Sequence, residues 1–313
     1  MPLKLILGLL ACACAALLAG CGGDGSADSD DAEAALAVPW VDPDGDPPYI
    51  GSLSINPGDG SIFMATNTGL FRIPKAGGKP AKVTGQLKTP NGEGAVSESL
   101  VARFTGPDTL IGSGHPSGDS TLPPALGLIR SGDAGKTWES VSELGTSDFH
   151  ALSRSGDILV APLYGQAQIL LSRDDGKTFE PRVAPMALVD LAADPADPKR
   201  WAATSETGIF VSEDEGRTWR QRDPTPNVRL AWHDSGDLYR IDPGGPVKVS
   251  MDGGETWQDR GSTGGEPQAL AVDEGGALYA ATLDGKVQKS EDGGKTWKPL
   301  VTPEPASAAA RSP

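Results

Sequence analysis

The 313-residue chain is poor in cysteine, histidine and positive charge. Its three cysteines, Cys12, Cys14 and Cys21, all lie within the first 21 residues, so the rest of the chain can form no disulfide, cysteine metal site or thiolate nucleophile. Only three histidines are present, and the net charge is −15. This acidity argues against nucleic acid as a partner and against direct electrostatic docking on an anionic membrane.

Long hydrophobic runs are also scarce. The one clear run, residues 5–18, follows Lys4 and is too short and too rich in alanine for a comfortable transmembrane helix. It ends in Leu18-Ala19-Gly20-Cys21, which resembles a bacterial lipobox. The resemblance implies that residues 1–20 are a lipoprotein signal peptide and that Cys21 is lipidated, which would anchor the protein at the extracytoplasmic face of the cell membrane. An ordinary secretory signal with an incidental cysteine is the alternative.

The composition divides the remaining chain into three parts. Residues 21–38 combine small residues with five acidic ones and no aromatic, and such a segment cannot bury enough apolar surface to fold. We therefore expect a disordered acidic tether, with the membrane contacted only through the lipid anchor. Residues 39–301 are the expected folded body, and residues 302–313 are expected to be a disordered tail.

An eight-residue pattern, S-x-D-x-G-x-T-W, recurs throughout the body. Its five copies begin at Ser131, Ser172, Ser212, Ser250 and Ser290, so successive copies are 41, 40, 38 and 40 residues apart. A repeat of this length predicts an array of identical supersecondary units. Its Asp can accept hydrogen bonds from backbone N–H groups in a tight turn, and its Gly can adopt the positive φ that closes a hairpin. The aromatic residue, replaced by Phe in the second copy, is large enough to fill the space between neighbouring sheets.

This pattern resembles the Asp box, or BNR repeat, of sialidases and other β-propellers. The resemblance implies an all-β propeller in which each box forms the turn between the third and fourth strands of a four-stranded blade. It also implies that the aspartates of the boxes are structural turn residues without a chemical role. These residues are Asp133, Asp174, Asp214, Asp252 and Asp292.

Six blades are expected in the body. Short strands separated by turn signals every 8–12 residues are typical of all-β proteins, and a degenerate first blade near residues 51–73 lacks the Asp. A seventh blade would require residues 35–46, a short and proline-rich stretch, to form most of a sheet. Insertions at residues 85–97 and 114–125 are expected on the face opposite the boxes. Long loops gathered on one face of a rigid scaffold favour function at that face.

Polar residues precede the apolar pairs of the predicted first strands. Alignment of these strands places His150, Asp190, Arg229 and Gln268 at one level, where they would form a ring of ligand-binding candidates on the wall of a central channel. An ordinary wetted channel wall is the alternative interpretation. His115 lies in an insertion on the same face and could act with His150 and Asp190 in acid–base chemistry or metal binding. Because no close ligand spacing such as H-x-x-x-H occurs, no metal and no cofactor are expected.

A sialidase-like site is only partly matched. Phe71-Arg72-Ile73-Pro74 is similar to the F-R-I-P motif of sialidases, but it aligns with a third strand, whereas the family's motif lies on a first strand. Arg72 is therefore expected to be an ordinary outer-strand residue. A Tyr nucleophile with a Glu partner could be supplied only by a pair such as Tyr164 with Glu206 or Glu143.

The whole body resembles a group of secreted or lipid-anchored bacterial BNR-repeat proteins labelled glycosyl-hydrolase-like. The resemblance is carried by Ser113-Gly114-His115-Pro116 and by the stretch from Asp148 to Leu152. We expect a surface lipoprotein whose propeller binds a glycan or an envelope protein without catalysis. One alternative is a glycoside hydrolase with its site in the channel mouth, and a further one is an assembly factor for an envelope complex. The candidate catalytic residues are His115, His150, Asp190, Tyr164 and Glu206.

Overall fold

The computed structural model describes residues 48–302 except residues 90, 117 and 119, and it leaves the side chains of residues 97–99 undescribed. The predictions made for the signal peptide, Cys21, the tether and nearly all of the tail lie outside the described residues. The described part consists of strands, turns and loops without a helix. It therefore contains no helix long and apolar enough to cross a membrane.

The first sheet shows the pattern of the others. It contains β1 (Ile50–Ile55), β2 (Ile62–Thr66), β3 (Gly69–Ile73) and β4 (Ala81–Val83), each antiparallel to the next. All five residues of β2 are buried, because β2 lies between two strands and is covered on both faces. In β4, Ala81 and Lys82 are exposed, as expected for the outer edge of a sheet.

The second sheet closes on itself. Its five strands are β5 (Gly85–Thr89), β6 (Gly92–Gly106), β7 (Thr109–Pro116), β8 (Leu128–Ser131) and β9 (Thr137–Ser142). The first part of β6 pairs with β5 and the rest with β7. β5 then pairs in parallel with β9, where Leu87 lies opposite Trp138. The enclosed side chains, which include Leu87, Val96 and Trp138, are buried.

The remaining four sheets each contain four antiparallel strands in sequence order. The third sheet comprises β10 (Ser153–Ser155), β11 (Ile158–Pro162), β12 (Gln168–Ser172) and β13 (Glu180–Val183). The fourth comprises β14 (Asp190–Ala193), β15 (Trp201–Ser205), β16 (Gly208–Ser212) and β17 (Arg220–Asp223). The fifth sheet comprises β18 (Arg229–Trp232), β19 (Leu238–Ile241), β20 (Pro246–Ser250) and β21 (Gln258–Ser262). The sixth comprises β22 (Pro267–Val272), β23 (Leu278–Thr282), β24 (Val287–Ser290) and β25 (Lys298–Val301).

The prediction of six four-stranded blades is therefore wrong. The described residues form five such sheets, together with the closed five-stranded sheet in second place. The difference arises because residues 85–97 were expected to form a loop between blades. Instead they form β5 and the beginning of β6, and β5 takes the free edge of β9. Pairing this edge satisfies backbone groups that would otherwise be open to solvent.

Apolar clusters lie between successive sheets and close them into a ring. Trp201 of the fourth sheet packs with Ile169 of the third, and similar clusters occupy the other junctions. The first sheet meets the sixth through Ile50 and Tyr279, among other residues. At this junction Ile50 N donates to Gln268 Oε1 at 2.9 Å, and Gly78 N donates to the carbonyl oxygen of Leu300 at 3.0 Å. The ring thus closes through side-chain packing and hydrogen bonds between the first and last sheets.

All five copies of the repeat lie between the third and fourth of four consecutive antiparallel strands. In the copy that begins at Ser212, the serine hydroxyl accepts from Gly216 N at 2.9 Å and donates to Asp214 Oδ1 at 2.9 Å. Asp214 also accepts from Thr218 N at 2.8 Å and from Thr218 Oγ1 at 2.7 Å. Glu215, just before the glycine, has a φ of 60°, so two successive left-handed residues make this turn.

The aromatic residues of the repeat differ in burial. Trp138 is buried inside the closed second sheet, whereas Phe179, Trp219, Trp257 and Trp297 are only partly buried. These four rings still pack against the clusters between their own sheet and the preceding one. These four aromatic rings therefore fill space between sheets, as expected, but part of each ring is exposed to solvent.

Candidate binding site at the channel mouth

A cavity of about 1240 Å³ lies at the centre of the ring and is lined by the innermost strand of every sheet. These innermost strands begin at one end of the cavity, which we call the mouth. Neighbouring strands are antiparallel, so the loops between second and third strands also lie at the mouth. The repeat turns lie at the opposite, far end. The mouth therefore gathers the loops that could contact a ligand.

Three of the four predicted ring residues tie neighbouring innermost strands together. Asp190 accepts from Leu191 N at 2.8 Å and from Leu230 N at 3.0 Å. Arg229 donates from Nη1 to the carbonyl oxygen of Val189 at 3.3 Å. Gln268 is 4% exposed and holds Ile50 N across the closing junction. Much of the hydrogen-bonding capacity of these side chains is therefore used within the wall.

The four residues do not share one register level. Asp190 begins β14 opposite Thr204, and Arg229 begins β18 opposite Ile241. Gln268 instead lies in a register shift of β22, and His150 precedes β10 (Ser153–Ser155) by three residues. The structure thus places only Asp190 and Arg229 at the same strand position. All four nevertheless line the cavity.

Burial shifts the pKa of two charged groups in the channel, Asp190 and Arg103. Burial raises the pKa of Asp190, against the opposing effects of Arg229 and of the two N–H groups that it accepts. Arg103, on β6, lines the channel, and its side chain reaches the solvent there. Burial lowers the pKa of Arg103, while Asp190 and Asp234 oppose this shift. Arg103 was missed from the sequence because the insertion ahead of it hid the innermost strand of the second sheet.

A second group of polar side chains lies beside the mouth, between the second and third sheets. His115 Nε2 is 3.5 Å from Asp148 Oδ1, and His150 Nε2 is 3.2 Å from the same oxygen. The two imidazole rings are nearly perpendicular, with centroids 6.4 Å apart. Each of the three side chains is about one-third exposed or less. We call His115, Asp148 and His150 the His–Asp–His cluster.

The cluster depends on how residues 148–150 pack against β7. Phe149 is fully buried between the second and third sheets, and its N–H donates to the hydroxyl of buried Ser113 at 3.4 Å. Ser113 lies two residues before His115 on β7. Tyr164 N donates to the carbonyl oxygen of Asp148 at 3.0 Å, which ties the segment to the end of β11. Asp148 was not a sequence candidate. Its spacing of two residues from His150 was visible in the sequence, but the approach of His115, on β7 of the second sheet, was not.

Opposing influences set the charge of Asp148. Partial burial would raise the pKa of this carboxyl group, but His150 and His115 beside it hold the pKa below its usual value. Asp148 Oδ1 and His150 Nε2 are both buried atoms, yet they are not aligned as a hydrogen bond and have no other partner within the described residues. The cluster thus contains converging polar atoms, two of which have no hydrogen-bond partner among the described residues.

Two tyrosines border the mouth. Tyr164 stacks on His150 with ring centroids 3.9 Å apart and an interplanar angle of 19°, and its side chain is 62% exposed. Tyr49, which precedes β1, is 49% exposed and also lines the cavity. Glu206, in the loop after β15, lines the cavity as well, but no hydrogen bond joins it to Tyr164 within the described residues.

Two residues lie away from the mouth. Arg72 lies on β3, the third strand of its sheet, and forms an exposed ion pair with Asp59 at 2.7 Å. This is the outer-strand position expected from the sequence alignment. His233 follows β18 at the far end, where Nδ1 lies 2.9 Å from the hydroxyl of Ser235. Neither residue adds to the cluster.

No protein-family model and no curated protein matches the chain. Solved structures do resemble it. An ancestral GH74 enzyme is 13% identical, with a TM-score of 0.51 over 81% of this chain and 38% of that enzyme. YCF48 from Cyanidioschyzon merolae is 12% identical, with a TM-score of 0.51 over 74% of this chain and 92% of that protein. The fold is a β-propeller.

A further GH74 structure, the xyloglucanase from Xanthomonas campestris, is 21% identical, with a TM-score of 0.49 over 81% of this chain and 38% of that enzyme. The chain thus spans 38% of the length of both GH74 enzymes. At these identities the likeness concerns the fold, and function has to be argued from the side chains of this chain.

Proposed function

We propose that the propeller is a binding module that recognises a glycan at its channel mouth without cleaving it. The observation that carries this proposal is the position of two exposed tyrosines, Tyr49 and Tyr164, at a cavity of about 1240 Å³ that is lined by both polar and apolar groups. Binding sites commonly combine aromatic surfaces with a few placed polar groups in a concave wall. Tyrosine supplies both an apolar ring face and a hydroxyl group, which suits the alternating apolar and polar faces of a sugar.

Charged and polar groups inside the channel would orient the ligand. Arg103 reaches solvent in the channel, and Arg229 and Glu206 lie along its wall. They provide donors and acceptors for hydroxyl groups, and the arginines could also hold a carboxylate of an acidic sugar. An envelope protein is the alternative ligand, favoured by Val183 and Leu283, which are exposed at the same end of the propeller. An assembly factor for an envelope complex would use the same surface.

Hydrolysis is the competing function, and one observation favours it. Asp190 is a channel carboxyl group whose pKa is raised by burial, which is the direction of shift expected for a general acid. Both oxygens of Asp190 already accept backbone hydrogen bonds, however, so this carboxyl group stabilises the channel wall. We therefore favour binding. Turnover of a fluorogenic glycoside, including a sialoside, that disappears in Asp190→Asn would establish hydrolysis instead.

We also propose that Cys21 anchors the propeller to the outer face of the cell membrane, with residues 22–38 as a spacer. Support comes from the lipobox-like Leu18-Ala19-Gly20-Cys21 and from the acidic, aromatic-free composition that follows it. An anchored propeller on such a spacer would present its mouth to ligands outside the cell. The net charge of −15 suits a solvated protein held away from anionic headgroups.

A glycan array probed with the full-length chain in mild detergent tests the binding proposal. Tyr164→Ala should weaken binding to any captured glycan about tenfold, since loss of aromatic stacking costs about 1–1.5 kcal/mol. Met251→Ala is the matched control, because Met251 is 61% exposed but lies in a repeat turn at the far end. An array without signal, or equal losses in the two variants, would contradict glycan recognition at the mouth.

A further inference from the structure

We propose that His115, Asp148 and His150 together bind one divalent transition-metal ion, zinc in the first instance. The site goes beyond the binding function proposed above, since it can be occupied without any glycan. It contradicts the expectation from the sequence that the protein has no metal site. That expectation rested on the absence of close histidine spacing, but the fold brings His115, on β7, to Asp148 and His150, which lie two residues apart in the segment before β10.

The distances within the cluster fit a small metal ion. Two ligands of a tetrahedral zinc, each about 2.1 Å from the metal, lie roughly 3.4 Å apart. His115 Nε2 and His150 Nε2 lie 3.5 and 3.2 Å from Asp148 Oδ1. All three ligand atoms lie within 4.8 Å of one another. An ion could therefore be accommodated with small side-chain adjustments.

Two polar atoms of the cluster have no hydrogen-bond partner among the described residues. Asp148 Oδ1 and His150 Nε2 are buried, face each other at 3.2 Å and do not form a geometrically acceptable hydrogen bond. Leaving a buried polar atom without a partner is unfavourable, so native proteins usually satisfy such atoms. A cation between the three side chains would take the lone pairs of all three ligands.

The surrounding structure holds the ligands in place. Stacking on Tyr164 restricts the ring of His150, and burial of Phe149 restricts the backbone between Asp148 and His150. Two imidazoles favour zinc and its neighbours in the transition series over magnesium or calcium, which prefer oxygen ligands. Three protein ligands leave a fourth tetrahedral position, which a water molecule or an oxygen atom of a ligand at the mouth could take. His150 lines the cavity and so links the two sites.

Zinc titration of the metal-free full-length chain by calorimetry tests this proposal. We expect one zinc ion per chain and a higher melting temperature with zinc, since a ligand that binds only the native state stabilises it. Asp148→Asn, which keeps the side-chain size but removes the charge, should weaken zinc binding at least tenfold and abolish the temperature shift. His233→Gln is the control, since it removes a histidine at the far end, and it should bind zinc as the wild type does.

The cobalt spectrum of the wild-type chain gives a second readout that does not depend on the folding of a variant. A bound cobalt ion in the cluster should show the visible absorption of a four-coordinate site with nitrogen and oxygen ligands, and zinc should displace it. The proposal is overturned if the wild type binds no zinc, or if Asp148→Asn binds zinc like the wild type. Loss of binding in His233→Gln alone would place the metal at the far end and overturn it as well.

Discussion

At the scale of single residues, the serine of each repeat is as important to the turn as the aspartate. All five serine side chains are at most 2% exposed, and each hydroxyl accepts a hydrogen bond from the repeat's glycine N–H. The aspartate beside it accepts from the threonine and lies nearer to solvent, as Asp214 and Thr218 show. The serine therefore satisfies the buried backbone group of the turn.

Replacing Ser212 by Ala should lower the free energy of unfolding by about 1–2 kcal/mol, because Gly216 N would lose its acceptor in a buried position. Glu213→Ala in the same turn is the control. The side chain of Glu213 is 62% exposed and pairs with exposed Arg220, so its loss should change stability by less than about 0.5 kcal/mol. Urea denaturation of the two variants measures the difference. Equal effects would contradict the role assigned to the serine.

A buried arginine also organises its surroundings. Arg240 is 1% exposed, lies over the ring of Trp257 at 4.5 Å, and contacts Asp223 and Asp242, each at 2.9 Å. Partial burial would raise the pKa of Asp223, but hydrogen bonds from Thr225 and the charge of Arg240 lower it from 3.8 to about 2. The ionised form of Asp223 thus stabilises the fold.

Because the pKa of Asp223 is lower in the folded state than in the unfolded state, its ionised carboxylate stabilises the folded state above about pH 4. This stabilisation is lost as the pH falls toward 2. Asp223→Asn should therefore be about 2 kcal/mol less stable than the wild type at pH 7, and the difference should shrink to near zero around pH 2. Urea unfolding from pH 2 to 7 measures this, with Asp259→Asn at an exposed position as the control. A difference that does not change with pH would show that Asp223 is not stabilising as an ion.

The residues that could be predicted from the sequence are those with a local role. The Ser, Asp and Gly of each repeat act within one turn, so their spacing carries the information. Asp148 lies only two positions before His150, but its other partner, His115, lies 33 positions earlier and reaches it only through packing of Phe149 against β7. Asp190 was found, but its hydrogen bonds to the next strand could not be inferred from a polar residue at a strand start.

At the scale of strands and sheets, the closed second sheet is the main departure from the repeat. β5 passes close to the repeat turn of its own sheet, and a side chain at Gly85 would come within 2.5 Å of Trp138 Nε1 and 2.7 Å of the carbonyl oxygen of Gly135. This close approach allows β5 to pair with β9. The sequence showed the insertion but not its pairing partner, because strand pairing depends on which edge is free in the folded ring.

Gly85→Ala should lower the free energy of unfolding by about 1–3 kcal/mol, since the added methyl group would contact a buried ring and a backbone carbonyl group. Gly132→Ala is the control, because a side chain there meets no atom within 4 Å. Thermal denaturation compares the two. If Gly85→Ala is as stable as Gly132→Ala, β5 does not pack against Trp138 as described.

At the scale of the whole molecule, the short strands and turn signals predicted the all-β class, and the resemblance of the repeat to that of β-propellers implied the circular arrangement. The number of four-stranded blades was not predicted correctly. A copy of the repeat shows that a sheet is present but does not give its number of strands. The first sheet has four strands and no copy, and the second sheet has five strands and one copy. The ring closes where Gln268 holds Ile50 N, 218 residues away in the chain. No local pattern in the sequence could have indicated that contact.

The proposed anchor acts on the whole molecule and can be tested in cells. Cys21→Ser should move the protein from the membrane fraction into the medium or leave uncleaved precursor, because the acyl chains would no longer be attached. Fractionation followed by immunoblotting measures this, with Cys14→Ser as the control within the same segment. A Cys21→Ser protein that is still processed and membrane-bound would contradict lipid anchoring.

Mass spectrometry of glycans incubated with the immobilised full-length protein tests the central claim most directly, since it measures binding and cleavage together. The proposed function predicts that the wild type retains glycans of unchanged mass and that Tyr164→Ala retains markedly less of them. Shortened glycans produced by the wild type, and absent when Asp190→Asn is used, would contradict binding without hydrolysis and identify the propeller as a glycosidase.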